Sequence, residues 1–125
     1  MNIDEQKFAE IVNEAIDALP EAIQKKMHNV AILVEDFPTP AQMHKLSIRS
    51  KYGLFGLYEG YIQSSRRNFG PVTPDKITIF RMPIIKSCST IESCRQRIIS
   101  TVKHEIAHHF GSDEKGARKA TNRRT

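Results

Sequence analysis

Residues 89–114 read STIESCRQRIISTVKHEIAHHFGSDE, and the fold turns on this stretch. Ser89 and Glu92 stand three apart, the spacing of a capping box that opens a helix. Ile91, Ile98, Ile99, Val102, Ile106 and Phe110 follow at helical intervals and form one apolar stripe, and Gly111 offers a stop. Inside the helix lies His104-Glu105-Ile106-Ala107-His108. Residues four apart sit about 40° from each other around a helix, so both imidazoles can reach one ion. Ile99, Val102 and Ile106 project to roughly the opposite side, into a core.

Imidazole nitrogens suit zinc, and a catalytic zinc site leaves one coordination position for water. Glu105 follows the first histidine, where a carboxylate can stand beside that water without ligating the ion. It would take the proton as general base and pass it to a leaving amine. With five His and nine Glu in the chain, a chance match to this pattern is expected in about one per cent of such sequences. The capped amphipathic helix around it is the context the chemistry requires.

A third ligand is needed. Glycine accepts left-handed backbone angles, so Gly111 allows the chain to turn back and bring residue 113 or 114 toward the ion. The metzincin pattern places the third ligand six residues after the second histidine, which here is Glu114, with Asp113 as the alternative. The residues after Glu114 contain no His, Asp or Glu, so no ligand is expected further downstream.

Outward from this helix the chain reads as an α+β domain. Asn2 and Glu5 suggest a helix start, and Phe8, Ile11, Val12, Ala15, Ile16 and Leu19 supply its buried face. Pro20 opens a second short helix over Glu21 to Met27. VAILVE at 30–35 reads as a strand, and Thr39 to Ser50 as irregular polar chain. Gly53 to Ile62 reads as a strand broken by glycines, and Ser64 to Asp75 as a loop. Ile77 to Met82 alternates and meets Pro83, which suggests an edge strand to which a peptide could pair. Residues 112–125 are expected to form a short terminal helix or a basic tail.

The 125 residues fit one domain, 1–125, with 39% hydrophobic and 26% charged content. There is no apolar run long enough to span a bilayer and no secretory h-region, so no membrane partner and a cytoplasmic location are expected. Two cysteines, Cys88 and Cys94, are six apart, outside zinc-knuckle spacing, and are read as free thiols. The net charge of +5 divides unevenly: residues 1–40 carry eight acids and three bases, residues 41–125 six acids and sixteen bases. No nucleic-acid motif accompanies the bases, so a nucleic-acid partner is not expected.

HEIAHHFGSDE at 104–114 resembles the signature of the minimal zincins, small bacterial zinc metallopeptidases. FAEIVNEAIDALPEAI (8–23), NVAILVED (29–36), GLYEG (56–60) and ITIFRMPI (77–84) are similar too, so the resemblance covers nearly the whole chain. It implies a minimal zincin-like fold: a small mixed sheet of three to four strands beside the zinc helix, with helices N-terminal to it. It also implies one Zn2+ on His104 and His108, Glu105 as catalytic base, and a peptide or protein substrate. The family usually carries Asp where this chain has Glu114.

The reading that follows is a zinc metallopeptidase; the alternative is a zinc-bearing peptide-binding module with little turnover. His109 lies about 100° from His108 around the helix, toward the apolar stripe, and reads as a packed or supporting histidine. Tyr58 and Glu59 could line the cleft or orient a ligand histidine. Tyr52, Tyr58, Tyr61 and Arg81 are candidate oxyanion stabilisers.

Overall fold

The computed structural model describes residues 2–60 and 75–115, with backbone alone for 111–115. It is α+β, as the sequence indicates. The elements in chain order are α1 (Glu5–Asp17), α2 (Glu21–Lys25), β1 (Val30–Glu35), α3 (Pro40–Lys45), β2 (Gly56–Glu59), β3 (Asp75–Phe80), α4 (Arg81–Lys86) and α5 (Ile91–Lys115).

The three strands form one mixed sheet in the order β1-β3-β2. β1 pairs with β3 in parallel, Val30 opposite Asp75 through Glu35 opposite Phe80. β2 pairs with β3 antiparallel, Gly56 opposite Ile79 and Tyr58 opposite Ile77. The edge position expected for Ile77 to Arg81 is therefore not observed. β3 is the central strand, and among the described strands β1 and β2 lie at the two edges. The burial of β3 explains the difference: Asp75, Ile77, Thr78, Ile79 and Phe80 are all buried, so side chains on both faces of the strand are covered. Pro83 does not close the strand either. It lies in the first turn of α4, where an amide N–H has no helical partner to lose.

α1 and α5 pack on one face of the sheet. Phe8, Ile11, Val12 and Ala15 from α1 join Cys94, Ile98, Val102 and Ile106 from α5 over Ile77 and Ile79. Burying each large aliphatic side chain contributes about 1.5–3 kcal/mol, so this layer fixes how α5 lies on the sheet. Ile91, expected in the apolar stripe, is 54% exposed; the buried line begins at Cys94 instead. An Arg95–Glu14 ion pair ties the two helices at the surface.

The caps stand close to, but not at, the expected residues. Asp4, not Asn2, accepts the Lys7 N–H at 2.8 Å to open α1. Thr90, not Ser89, opens α5, exchanging bonds with Ser93 at 3.0 and 3.2 Å. α3 occupies part of the stretch read as irregular. Its signal is present in the sequence: Thr39 and Gln42 make a complete capping box, with Pro40 in the first turn. At its far side Gln42 donates to Glu59 at 3.3 Å, which anchors α3 to the end of β2.

Candidate metal centre

α5 is 25 residues long and carries the His-Glu-His group on its C-terminal half. Its core line, Cys94, Ile98, Val102 and Ile106, repeats every four residues and faces the sheet. His104 and His108 fall outside that line, the first exposed and the second half-exposed, as the helical projection requires. Their rings meet edge to face with centroids 4.7 Å apart. The two Nε2 atoms converge to 3.2 Å.

That separation tests the fit to a metal. Two zinc–nitrogen bonds of 2.0–2.1 Å at a tetrahedral angle place their nitrogens about 3.3–3.4 Å apart. The observed bite is within a few tenths of an ångström of this. His104, Glu105 and His108 present one ligand atom each, all within 4.8 Å of one another.

Glu105 differs from its histidine neighbours in being 2% exposed. The covering element is β2. A Cβ built on Gly56 would lie 2.8 Å from Thr101 Cγ2 and 3.1 Å from Glu105 Cγ. The glycine thus lets the edge strand approach α5 directly at the glutamate, one turn below the second histidine. The second glycine of GLYEG serves a different contact: a Cβ on Gly60 would collide with the Tyr58 hydroxyl.

Tyr58 reaches β3 through its hydroxyl. Its hydroxyl donates to Asp75 Oδ2 at 2.7 Å. The same oxygen lies 2.9 Å from His109 Nδ1, and the Tyr58 and His109 rings meet edge-on at 5.7 Å. A carboxylate oxygen accepts, so the hydrogen of this imidazole sits on Nδ1. His109 is buried, as expected. Asp75, its partner at the first position of β3, is the residue that sequence reasoning misses. The hydrophobic pattern gives no sign of it, since an acidic residue after Pro74 reads as a turn.

The other oxyanion candidates are committed elsewhere. Arg81 donates through Nε to Asp36 Oδ1 at 2.8 Å and through a terminal nitrogen to the Ile3 carbonyl at 2.7 Å. It lies beyond the C-terminal end of β3 and ties the chain start and the end of β1 together. Tyr52 packs edge-on against Phe37, with Lys51 and Lys86 over the aromatic pair. Tyr61 lies outside the described residues.

Helix α5 runs through Gly111 to Lys115, so the stop expected at that glycine is not where the helix ends. Asp113 and Glu114 lie on its last turn, and their side chains are outside the described residues. On this backbone residue 114 stands about 9 Å further along the axis than His108. Ligation by either acid would require the chain to turn at Gly111.

A family model for zincin-like metallopeptidases matches residues 27–121. The chain belongs to the zincin-like metallopeptidase family. The match takes in all three strands, the His-Glu-His helix and Glu114. No curated protein matches the chain significantly. Among solved structures, a conserved hypothetical protein from Thermo thermophilus superposes with a TM-score of 0.61 at 18% identity, over 89% of this chain and 97% of that one. At that identity the likeness speaks for the fold alone. Among the described residues, no helix is long and apolar enough to cross a membrane.

Proposed function

We propose that this zincin-like chain is a zinc-dependent peptide hydrolase. The observation that carries the reading is the 3.2 Å convergence of His104 and His108 Nε2 beside a buried Glu105, within a family of metallopeptidases. His104 and His108 would hold one Zn2+ per chain, with Glu114, or Asp113 in its place, as the third ligand. When bound, zinc would supply a Lewis acid that polarises a peptide carbonyl and lowers the pKa of water.

The protein's own part centres on Glu105. Its carboxylate, fixed between α5 and Gly56, takes a proton from the attacking water at one oxygen. It then gives that proton to the departing amine. Burial under β2 restricts the carboxylate to few positions, so the acceptor is oriented before substrate arrives. The substrate peptide would lie along β2 rather than β3. β1 and β2 are the two outer described strands, and it is β2 that stands against the helix at Glu105, so main-chain pairing there would bring a scissile bond to the base.

Metal analysis of the purified protein, together with digestion of a peptide library, tests this reading. About one zinc per chain is expected, lost in His104→Ala and in His108→Ala. Glu105→Gln should retain the metal and lose cleavage. Chelator-sensitive cleavage by the parent supports the hydrolase. Full zinc retention in both histidine variants would overturn the assignment, and metal-dependent peptide binding without turnover would favour a binding module.

A further inference from the structure

The hydrophobic anchoring of α5 thins around its second candidate ligand. Ile106 is the last fully buried apolar residue of the helix among those described, and Phe110 is only partly covered. His108 lies two residues beyond Ile106. Beside the partial packing of Phe110, a buried polar contact ties this part of the helix to the sheet: His109, 5% exposed, against Asp75, 2% exposed, with Tyr58 on the same carboxylate oxygen. The three residues come from α5, β3 and β2, so a single oxygen joins the helix to the central strand and to the edge strand.

From this arrangement we infer that His109, Asp75 and Tyr58 are positioning residues for the metal centre. None of them belongs to the ligand set; together they fix where His108 stands relative to Glu105 and β2. Three observations converge. His109 is the immediate neighbour of His108, so a rotation of the helix that moves one ring moves the other. The bonds are short, at 2.7 and 2.9 Å, and made in a buried setting, where a hydrogen bond is electrostatically stronger than in water. Gly60 leaves the space that the Tyr58 hydroxyl occupies, so the backbone of the edge strand is adapted to this contact.

The inference rests on the zinc reading above, and zinc affinity, not turnover, is the measurement that separates the two. Zinc dissociation constants would be determined by competition with a chromophoric chelator, and visible spectra recorded after Co2+ loading. His109→Leu removes the donor and should bind zinc about tenfold more weakly, the effect typical of residues that support a ligand. His109→Asn places an amide N–H near the position of Nδ1 and should recover affinity to within about threefold of the parent. Tyr58→Phe keeps the ring and should shift the Co2+ absorption bands. It also serves if His109→Leu does not fold. A merely structural tie would lower the melting temperature of the metal-free variants and leave the Co2+ spectrum unchanged.

His104→Ala is the control. If it loses zinc while His109→Leu binds like the parent, or if Tyr58→Phe leaves the Co2+ spectrum unchanged, the positioning role is overturned and the zinc site stands. If His104→Ala also binds like the parent, both readings fall together.

Discussion

Gly56 and Glu105 are packed so closely that a methyl group on the glycine would stand 3.1 Å from the glutamate's Cγ. It would also press on Thr101 at 2.8 Å, closer than a Cβ normally sits to any carbon. Gly56→Ala should therefore push β2 away from α5 or turn Glu105 aside. Overpacking of this kind costs about 1–3 kcal/mol. Denaturant unfolding should show that loss, and peptide cleavage should fall by about tenfold or more while zinc content is kept. Cleavage at the parental rate would show that Glu105 is not held by this contact.

Asp113 and Glu114 are separated by comparing zinc affinity in Asp113→Ala and Glu114→Ala. Glu114→Ala should weaken binding by more than about a hundredfold and Asp113→Ala by much less, since losing a ligand exceeds the roughly 10–100-fold cost of losing a supporting contact. The reverse order would assign the site to Asp113. Equal, small losses in both would mean that neither closes the ligand set.

Arg81 makes two bonds that staple Asp36 and the Ile3 carbonyl to the end of β3. Its side chain is 13% exposed, and that of Asp36 is 43% exposed, so water screens part of the attraction. Arg81→Met should cost about 1–2 kcal/mol in urea unfolding and leave the rate of peptide cleavage intact. A large drop in cleavage with parental stability would instead return Arg81 to the site.

Cys94 gives a dependence on alkaline pH. Burial, and then the neighbouring Cys88 thiol, push its pKa from 9.0 to about 11, against a smaller opposing pull from Arg97. The folded chain therefore holds this proton where the unfolded chain has lost it. The stabilisation is fully present below about pH 9 and is lost as pH rises toward 11. In Cys94→Val the decline in stability across this window should be shallower than in the parent. Parallel curves would mean that the thiol titrates as it does in the unfolded chain. A thiol reagent at pH 8 should label half-exposed Cys88 well before buried Cys94.

The periodic parts of the sequence are legible because periodicity reflects burial on one side. Phe8, Ile11, Val12 and Ala15 face the core, and the limits of β1 at Val30 and Glu35 are those expected. His104 and His108 follow from the same geometry. The central place of β3 is masked by Pro83, which suggests an unpaired rim, although the strand's run of buried residues argues for the centre. α3 escapes the pattern because five or six residues give no hydrophobic period, even with a complete cap at Thr39. The Asp75–His109–Tyr58 contact joins residues 34 and 17 positions apart. The pairing of β2 with β3 brings Tyr58 to Asp75 and the docking of α5 on the sheet brings His109 there, and both are properties of the assembled fold.

The order of strands also bears on how the protein reaches this state. Val30 pairs with Asp75, 45 residues later, and β2 has no partner but β3 among the described strands. No two of these strands can pair until the chain has extended past Asp75, so loop closure must precede any sheet, and such non-local pairing slows folding. α4 and α5 follow β3 directly. The surface on which the histidine-bearing helix docks is thus completed immediately before the helix itself emerges during synthesis. Until β2 and β3 have paired, Gly56 has no fixed place from which to cover Glu105. A nascent chain therefore holds all three strands before its histidines emerge, so the cover over Glu105 can stand ready as the helix docks.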